Sequence, residues 1–78
     1  MKVIIWSKYD CQNCDQAKAL LEQRSIKFEE RKIGDGWSKE ELLEVVPNAR
    51  SVPQILIDNQ LVGGFIELQK YLKEAVNV

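Results

Sequence analysis

Two cysteines, Cys11 and Cys14, mark the point at which a β-rich run of the chain gives way to a helical pattern. Residues 2–6 are largely apolar and rich in β-branched side chains, which is typical of a strand buried on both faces. From residue 12 to residue 24 the apolar side chains recur at helical spacing, and Cys14 falls on their stripe. The sequence therefore predicts a strand, a short loop and a helix, with Cys11 at the helix start.

The remainder of the chain predicts five further elements. Residues 27–33 alternate in polarity and predict a second strand, which is followed by a turn at Gly34-Asp35-Gly36. Ser38 and Glu41 match a capping box at a helix start, and Pro47 ends that helix. Residues 54–58 and residues 61–62 predict the two strands of a hairpin that turns at Asn59-Gln60. A last helix is predicted in the segment after Gly63-Gly64.

This order, β-α-β-α-β-β-α, predicts one α/β domain over residues 1–78. A strand, a helix and a strand of these lengths imply a parallel pair joined by a right-handed crossover. The net charge of −1 provides no electrostatic footprint for nucleic acid, and the apolar runs are too short to cross a bilayer. Because no signal-peptide pattern is found, we expect a soluble cytoplasmic protein without nucleic-acid or membrane partners.

The cysteines are the strongest chemical candidates because the chain has no histidine. That absence removes Ser–His and Cys–His nucleophiles and most catalytic zinc sites. A C-x-x-C pattern beside a βαβ unit in a cytosolic chain is typical of a redox motif. Residues i and i+3 of a first helical turn face the same side, so the two sulfurs can approach bonding distance. We therefore predict Cys11 as the nucleophile and Cys14 as a buried resolving thiol.

The start of a helix favours the thiolate form of Cys11 through free N–H groups and the helix dipole. An ordinary thiol pKa of about 8.5 leaves roughly 3% thiolate at neutral pH. The dipole contributes only about 0.3–1 kcal/mol, so N–H hydrogen bonds and a cation such as Lys8 must add the rest. Because Asp10 and Asp15 act in the opposite direction, we predict a lowered pKa for Cys11, but less lowered than without acidic neighbours.

Other interpretations of the two cysteines stay open at this point. A structural disulfide would close a tiny loop worth about 2 kcal/mol and would join no distant segments. The cysteines could also be buried and inert. Within one chain, two cysteines without histidine do not reach the four ligands of a zinc site, so no metal site is predicted there. A metal shared between two chains stays an alternative.

Beyond the cysteines, the sequence resembles the glutaredoxin family over essentially its whole length. Four blocks carry the resemblance: Lys8-Tyr9-Asp10-Cys11-Gln12-Asn13-Cys14, Ala17-Lys18-Ala19-Leu20-Leu21, Ser51-Val52-Pro53-Gln54-Ile55 and Gly63-Gly64. The first is similar to the family's lysine and C-x-x-C, and the third to its T-V-P segment. The short chain suits the small glutaredoxins of bacteria and their phages.

The resemblance implies a thioredoxin-like fold, in which a four-stranded mixed sheet is flanked by helices on both faces. It also implies a cis peptide bond before Pro53. In the family, the backbone of Val52 would pair with the substrate as an added strand does. The substrate and glutathione site predicted in this way comprises Lys8, Gln12, Asn13, Val52, Pro53, Gly63, Gly64 and Glu67.

The chain departs from the family pattern in two places. Gln12 and Asn13 stand where the family often has a proline and an aromatic residue between the cysteines. Ile66 stands where the family often has an acidic or hydroxyl residue, with Glu67 next in the chain. Because Ile66 cannot hold the amino group of glutathione, a thioredoxin reductase is an alternative electron donor.

Together these patterns predict a monomeric thiol–disulfide oxidoreductase that uses glutathione as co-substrate and has no tightly bound cofactor. The resemblance implies that its partners are glutathione and disulfide-containing proteins such as ribonucleotide reductase, in the cytoplasm of a cell or of a phage host. The competing class is a dimer that shares an iron–sulfur cluster through Cys11 and two glutathiones.

Overall fold

A computed structural model describes residues 1–76, with side chains as far as residue 73, so the last two residues of the predicted domain 1–78 lie outside the described residues. Seven elements follow one another in the predicted order. They are β1 (Val3–Lys8), α1 (Gln12–Gln23), β2 (Glu29–Ile33), α2 (Lys39–Val45), β3 (Gln54–Ile57), β4 (Gln60–Gly63) and α3 (Phe65–Val76).

The four strands form one mixed sheet in the order β2-β1-β3-β4. β1 and β2 are parallel, whereas β1 pairs with β3, and β3 with β4, in antiparallel fashion. The end of β1 therefore lies beside the end of β2 and the start of β3. This edge of the sheet is where the two cysteines, at the start of α1, follow β1.

Helices cover both faces of the sheet, as predicted. Residues of α1 and α3 pack with alternate residues of the central strands in one core cluster, of Val3, Ile5, Ala17, Leu21, Ile55, Ile57, Leu68 and Leu72. The opposite face packs against α2 in a second cluster, of Ile4, Trp6, Leu42, Val46 and Leu56. β1 contributes to both clusters, which explains why its sequence is a continuous apolar run.

β2 lies at one edge of the sheet and is charged, which is typical of a protected edge strand. It begins at Glu29 rather than at residue 27, because the preceding residues form a loop that packs Ile26 and Phe28 against the core below α1. The guanidinium of Arg31 lies 4.5 Å from the ring centre of Trp37, and this cation–π contact holds the charged strand against the α2 face.

The predicted capping box at the start of α2 is confirmed. Ser38 accepts a hydrogen bond from the backbone N–H of Glu41, and the Glu41 side chain accepts one from the backbone N–H of Ser38. The prediction for the hairpin turn was wrong by one residue, because the turn lies at Asp58-Asn59. These two residues have φ of 52° and 67°, the left-handed conformation that suits the twist of a two-residue hairpin.

Among residues 1–76, every helix is too short or too polar to span a bilayer.

Candidate active site

A tight turn carries the chain from β1 into α1 and sets the position of Cys11. Asp10 adopts the left-handed conformation, with φ of 54°. Cys11 then takes the extended N-cap conformation, with φ of −118° and ψ of 101°, so that its side chain turns back over the first helical turn. A sulfur in that position can accept hydrogen bonds from the free N–H groups of the helix start.

Cys11 and Cys14 form a disulfide across the first turn of α1, and their Cα atoms lie 5.2 Å apart. The backbone N–H of Cys14 points at the sulfur of Cys11 across 3.1 Å. Cys14 is fully buried, whereas Cys11 keeps 8% of its surface exposed. Cys11 is thus largely buried although it lies at a helix start, but it is more exposed than Cys14.

The segment before β3 brings Val52 and Pro53 beside the disulfide. The peptide bond between them is cis, as the resemblance implied. The sulfur of Cys11 lies 3.8 Å from the carbonyl oxygen of Val52. Because this sulfur is part of the disulfide and carries no proton, the two atoms lie close together without a hydrogen bond between them.

The glycine pair before α3 continues the site on the far side of Pro53. A Cβ atom added to Gly64 would lie 3.6 Å from the carbonyl oxygen of Pro53. Gly63 has a φ of 122°, and a Cβ atom there would lie 2.9 Å from Cγ of Glu67, so both the backbone and the neighbouring side chain require glycine. Four predicted residues, Val52, Pro53, Gly63 and Gly64, therefore line one continuous rim next to Cys11.

Glu67 lies across this glycine pair. Its Oε1 accepts a hydrogen bond of 2.8 Å from the backbone N–H of Gly64. The N–H group of Gly64 is therefore not free to bind a carboxylate of a ligand, because Glu67 caps the helix start there. The exposed side chain of Ile66 lies beside it and provides no polar group.

Lys8 lies at the end of β1 and lines a cleft of about 250 Å³ together with Val52. Two further cations, Lys39 and Arg50, line the same cleft. Its remaining lining is apolar apart from Ser51, and consists of Ile33, Leu42, Leu43, Ala49 and Val52. Nothing in the sequence pattern singles out Lys39, because only the fold brings the start of α2 to the end of β1. Such a cleft can receive a carboxylate that is joined to an apolar group.

Gln12 and Asn13 are exposed in the first turn of α1, between the cysteines. Asp15, which follows Cys14, forms an ion pair with Lys18 at 3.7 Å. Lys18 also donates a hydrogen bond of 2.9 Å to Glu30, and the buried hydroxyl of Ser7 donates one of 2.6 Å to the same carboxylate oxygen. The negative charge of Asp15 is therefore partly balanced, and it opposes a thiolate at Cys11 less than the sequence predicts.

These contacts shift two pKa values in opposite directions. Burial acts to raise the pKa of Glu30, but the hydrogen bonds from Ser7 and Lys18 outweigh it and leave this pKa below its ordinary value. The hydrogen bond to Glu30 raises the pKa of Lys18. Both groups therefore stay charged across the neutral pH range.

Tyr9 is not among the predicted site residues, yet it follows β1 at the same edge of the sheet as the disulfide. Its ring is 55% exposed and packs beside Gly34, where an added Cβ atom would lie 3.7 Å from Cε2 of the ring. The ammonium of Lys32 lies 4.6 Å from the ring centre. The negative charge of Asp35 raises the pKa of the Tyr9 hydroxyl.

No group of three or more potential metal-binding side chains is found in the part of the chain that the structure describes. The arrangement is instead that of a redox pair. A disulfide closed within the first helical turn can open and close without moving distant parts of the fold, and it lies beside a backbone segment that a substrate can reach. Fold and site together define a thiol–disulfide oxidoreductase.

Residues 3–62 match the model of the glutaredoxin family, and the chain belongs to that family. Glutaredoxin 3 of Escherichia coli is 38% identical over 66 residues, which cover 85% of this chain and 80% of that protein. Glutaredoxin 1 of Rickettsia conorii is 34% identical over 64 residues, and the match covers 80% of this chain but only 63% of that relative's length.

Solved structures agree with this assignment. Glutaredoxin 1 from Francisella tularensis, determined in complex with cacodylate, superimposes with a TM-score of 0.82 at 30% identity. The superposition covers 99% of this chain and 98% of that one. The fold is therefore thioredoxin-like, as the resemblance implied.

Proposed function

We propose that the protein reduces disulfides by a dithiol mechanism in which Cys11 is the nucleophile and Cys14 the resolving thiol. One observation carries these roles: Cys14 is fully buried and its N–H points at the sulfur of Cys11, which retains some exposure. The N–H group favours negative charge on Cys11, and burial disfavours negative charge on Cys14.

The reaction consists of four thiol–disulfide exchanges, two with the substrate and two with glutathione. The thiolate of Cys11 attacks one sulfur of a substrate disulfide, forms a mixed disulfide and releases the other half as a thiolate, which takes a proton from water. Cys14 then loses its proton and attacks the sulfur of Cys11, which closes the Cys11–Cys14 disulfide and releases the second half of the substrate. Two molecules of glutathione restore the two thiols and leave as glutathione disulfide.

We propose that glutathione occupies the rim beside Cys11. The cysteinyl backbone of glutathione would pair with the backbone of Val52, in the manner of an added strand. Lys8, with Lys39 and Arg50 in the same cleft, supplies cations for a carboxylate. Glu67, which reaches back to Gly64, supplies an acceptor for the ammonium group that Ile66 cannot hold.

Glutathione is then the co-substrate, and no tightly bound cofactor takes part. We further propose a monomer that acts in the cytoplasm, where reducing conditions return the cysteine pair to thiols. Glutathione mixed disulfides and protein disulfides, ribonucleotide reductase among them, are its proposed substrates. The support for these finer statements is the family assignment together with the rim next to Cys11.

A coupled assay with two electron donors tests this proposal. Reduced glutathione with glutathione reductase is compared with thioredoxin reductase, using a small disulfide as the substrate and NADPH consumption as the readout. We expect turnover with the glutathione system and none in the Cys11→Ser variant. Turnover with thioredoxin reductase alone would contradict glutathione as the donor, and turnover by Cys11→Ser would contradict the assigned nucleophile.

A further inference from the structure

Tyr9 is a large exposed side chain placed two residues before Cys11. Exposed single aromatic residues are common on protein surfaces, so exposure alone indicates nothing. Tyr9 differs in that its surroundings hold the ring in place. The ring edge lies so near Gly34 that an added Cβ atom would touch it at 3.7 Å, and the ammonium of Lys32 lies over one face. Both residues belong to β2 or to the turn that follows it.

A ring that is already held in place loses little side-chain freedom when a partner covers it. Ordering a free side chain at an interface costs about 0.5–1.5 kcal/mol, so a pre-positioned aromatic group binds with a smaller entropic penalty. Tyrosine is also one of the residues most often found to dominate binding energy at protein interfaces. Tyr9 thus has the physical properties of a contact residue.

The topology places Tyr9 on the opposite side of Cys11 from the proposed glutathione rim. Val52 and Pro53 precede β3, and Gly63 ends β4, whereas Tyr9 follows β1 and leans toward β2. In the strand order β2-β1-β3-β4, the rim therefore lies on the β3–β4 side and Tyr9 on the β2 side.

The cleft of Lys8, proposed to hold a carboxylate of glutathione, also reaches Ile33 of β2, which packs on the α2 face of the sheet. Lys32, whose ammonium contacts the Tyr9 ring, is its neighbour in that strand and therefore faces the other side of the sheet. Glutathione on the rim and in this cleft thus leaves the Tyr9 ring free for the rest of a larger substrate.

We propose that Tyr9 is a specificity-determining contact for the polypeptide part of protein substrates, and that it binds an apolar side chain near the substrate's reactive cysteine. This inference rests on the proposed function, because it takes Cys11 as the attacking residue. We take the occupant to be a polypeptide, because the ring lies outside the rim proposed for glutathione and is met by the part of a substrate that extends beyond its glutathione half.

Two substrates with the same glutathione half distinguish the effect of the Tyr9 contact from the effect of the glutathione rim. One is a glutathionylated protein, such as glutathionylated serum albumin, and the other is the mixed disulfide of glutathione and 2-mercaptoethanol. We expect Tyr9→Ala to raise KM for the glutathionylated protein by about five- to tenfold. For the small disulfide, kcat and KM should each change by less than about twofold, which also shows that the variant is folded.

Two further variants serve as controls. Tyr9→Phe keeps the ring and should behave as the unmodified protein with both substrates. Tyr71 is also an exposed tyrosine, on α3 and 40% exposed, and Tyr71→Ala should leave both substrates unaffected. An equal loss of activity toward both substrates in Tyr9→Ala, or no change with either, would overturn the role of Tyr9. If the unmodified protein turns over neither substrate, the proposed function fails and this inference fails with it.

Discussion

The backbone N–H of Cys14 lies 3.1 Å from the sulfur of Cys11, so the buried cysteine supports its more exposed neighbour through the main chain. Such a hydrogen bond needs no side chain, and it is present whatever residues stand at positions 12 and 13. It adds to the helix dipole, which by itself contributes only about 0.3–1 kcal/mol. The main-chain geometry of the helix start therefore favours a thiolate at Cys11.

Replacing each cysteine by serine should separate the two roles. Cys11→Ser removes the nucleophile and should lower all disulfide reduction by at least about a thousandfold. Cys14→Ser removes only the resolving step, so it should abolish reduction of protein disulfides and retain turnover of glutathione mixed disulfides within about tenfold of the unmodified protein. Steady-state assays with both substrate types measure this. An active Cys11→Ser with an inactive Cys14→Ser would mean that the roles are reversed.

The negative charge of Glu67 should strengthen the binding of glutathione, and its hydrogen bond to Gly64 should stabilise α3. Glu67→Gln keeps an oxygen that can accept the N–H of Gly64 but removes the negative charge, and it should raise KM for glutathione by about three- to tenfold with kcat unchanged. Glu67→Ala removes both, and should also lower the free energy of unfolding by about 0.5–2 kcal/mol, the usual effect of losing a helix cap.

Kinetics with varied glutathione, together with urea unfolding, distinguish these effects. Lys27→Gln provides a control for the loss of an exposed charge away from the glycine pair, and it should leave KM for glutathione unchanged. A lower KM in Glu67→Gln would show that the carboxylate repels glutathione, and the proposed ammonium contact would then be wrong.

The hydrogen bonds to Glu30 should make the free energy of unfolding depend on pH under acidic conditions. The pKa of Glu30 is lowered in the folded protein, so its contribution is fully present above its ordinary pKa of 4.5 and is lost as the pH falls through the lowered value. Glu30→Gln should lower the free energy of unfolding by about 1–2 kcal/mol at pH 7, after allowance for partial exposure. The difference from the unmodified protein should shrink below pH 4.5.

Urea unfolding at pH 7 and at pH 3 measures both effects. Glu44→Gln, which changes an exposed carboxylate on α2, is the control and should match the unmodified protein at both pH values. A destabilisation by Glu30→Gln that is equally large at pH 3 would show that packing, and not the charge, carries the effect.

The order of elements and the capping box could be predicted from residues alone, because they depend on neighbours in the chain. Ser38 and Glu41 meet within one helical turn, and the apolar run of β1 reflects burial on both faces. The cis bond before Pro53, in contrast, could not be predicted from the residues alone. From residues alone, cis is found in only about 5–6% of such bonds, so its prediction came from the family resemblance.

The contacts that the sequence did not predict join distant parts of the chain. Lys39 reaches the cleft of Lys8 only because α2 packs beside the end of β1. Tyr9 acquires fixed surroundings only because β1 and β2 end side by side. The hydrogen bond from Gly64 to Glu67 is local, and the three-residue spacing of a capping box indicates it from the sequence.

Selective alkylation of the reduced protein tests the central claim most directly. Limiting iodoacetamide, applied over a range of pH and followed by peptide mapping, gives a rate for each cysteine. We predict that Cys11 is labelled at least about ten times faster than Cys14 at pH 7, with an inflection below the ordinary thiol value of about 8.5. Faster labelling of Cys14, or an inflection for Cys11 at or above that value, would contradict a thiolate held at the start of α1.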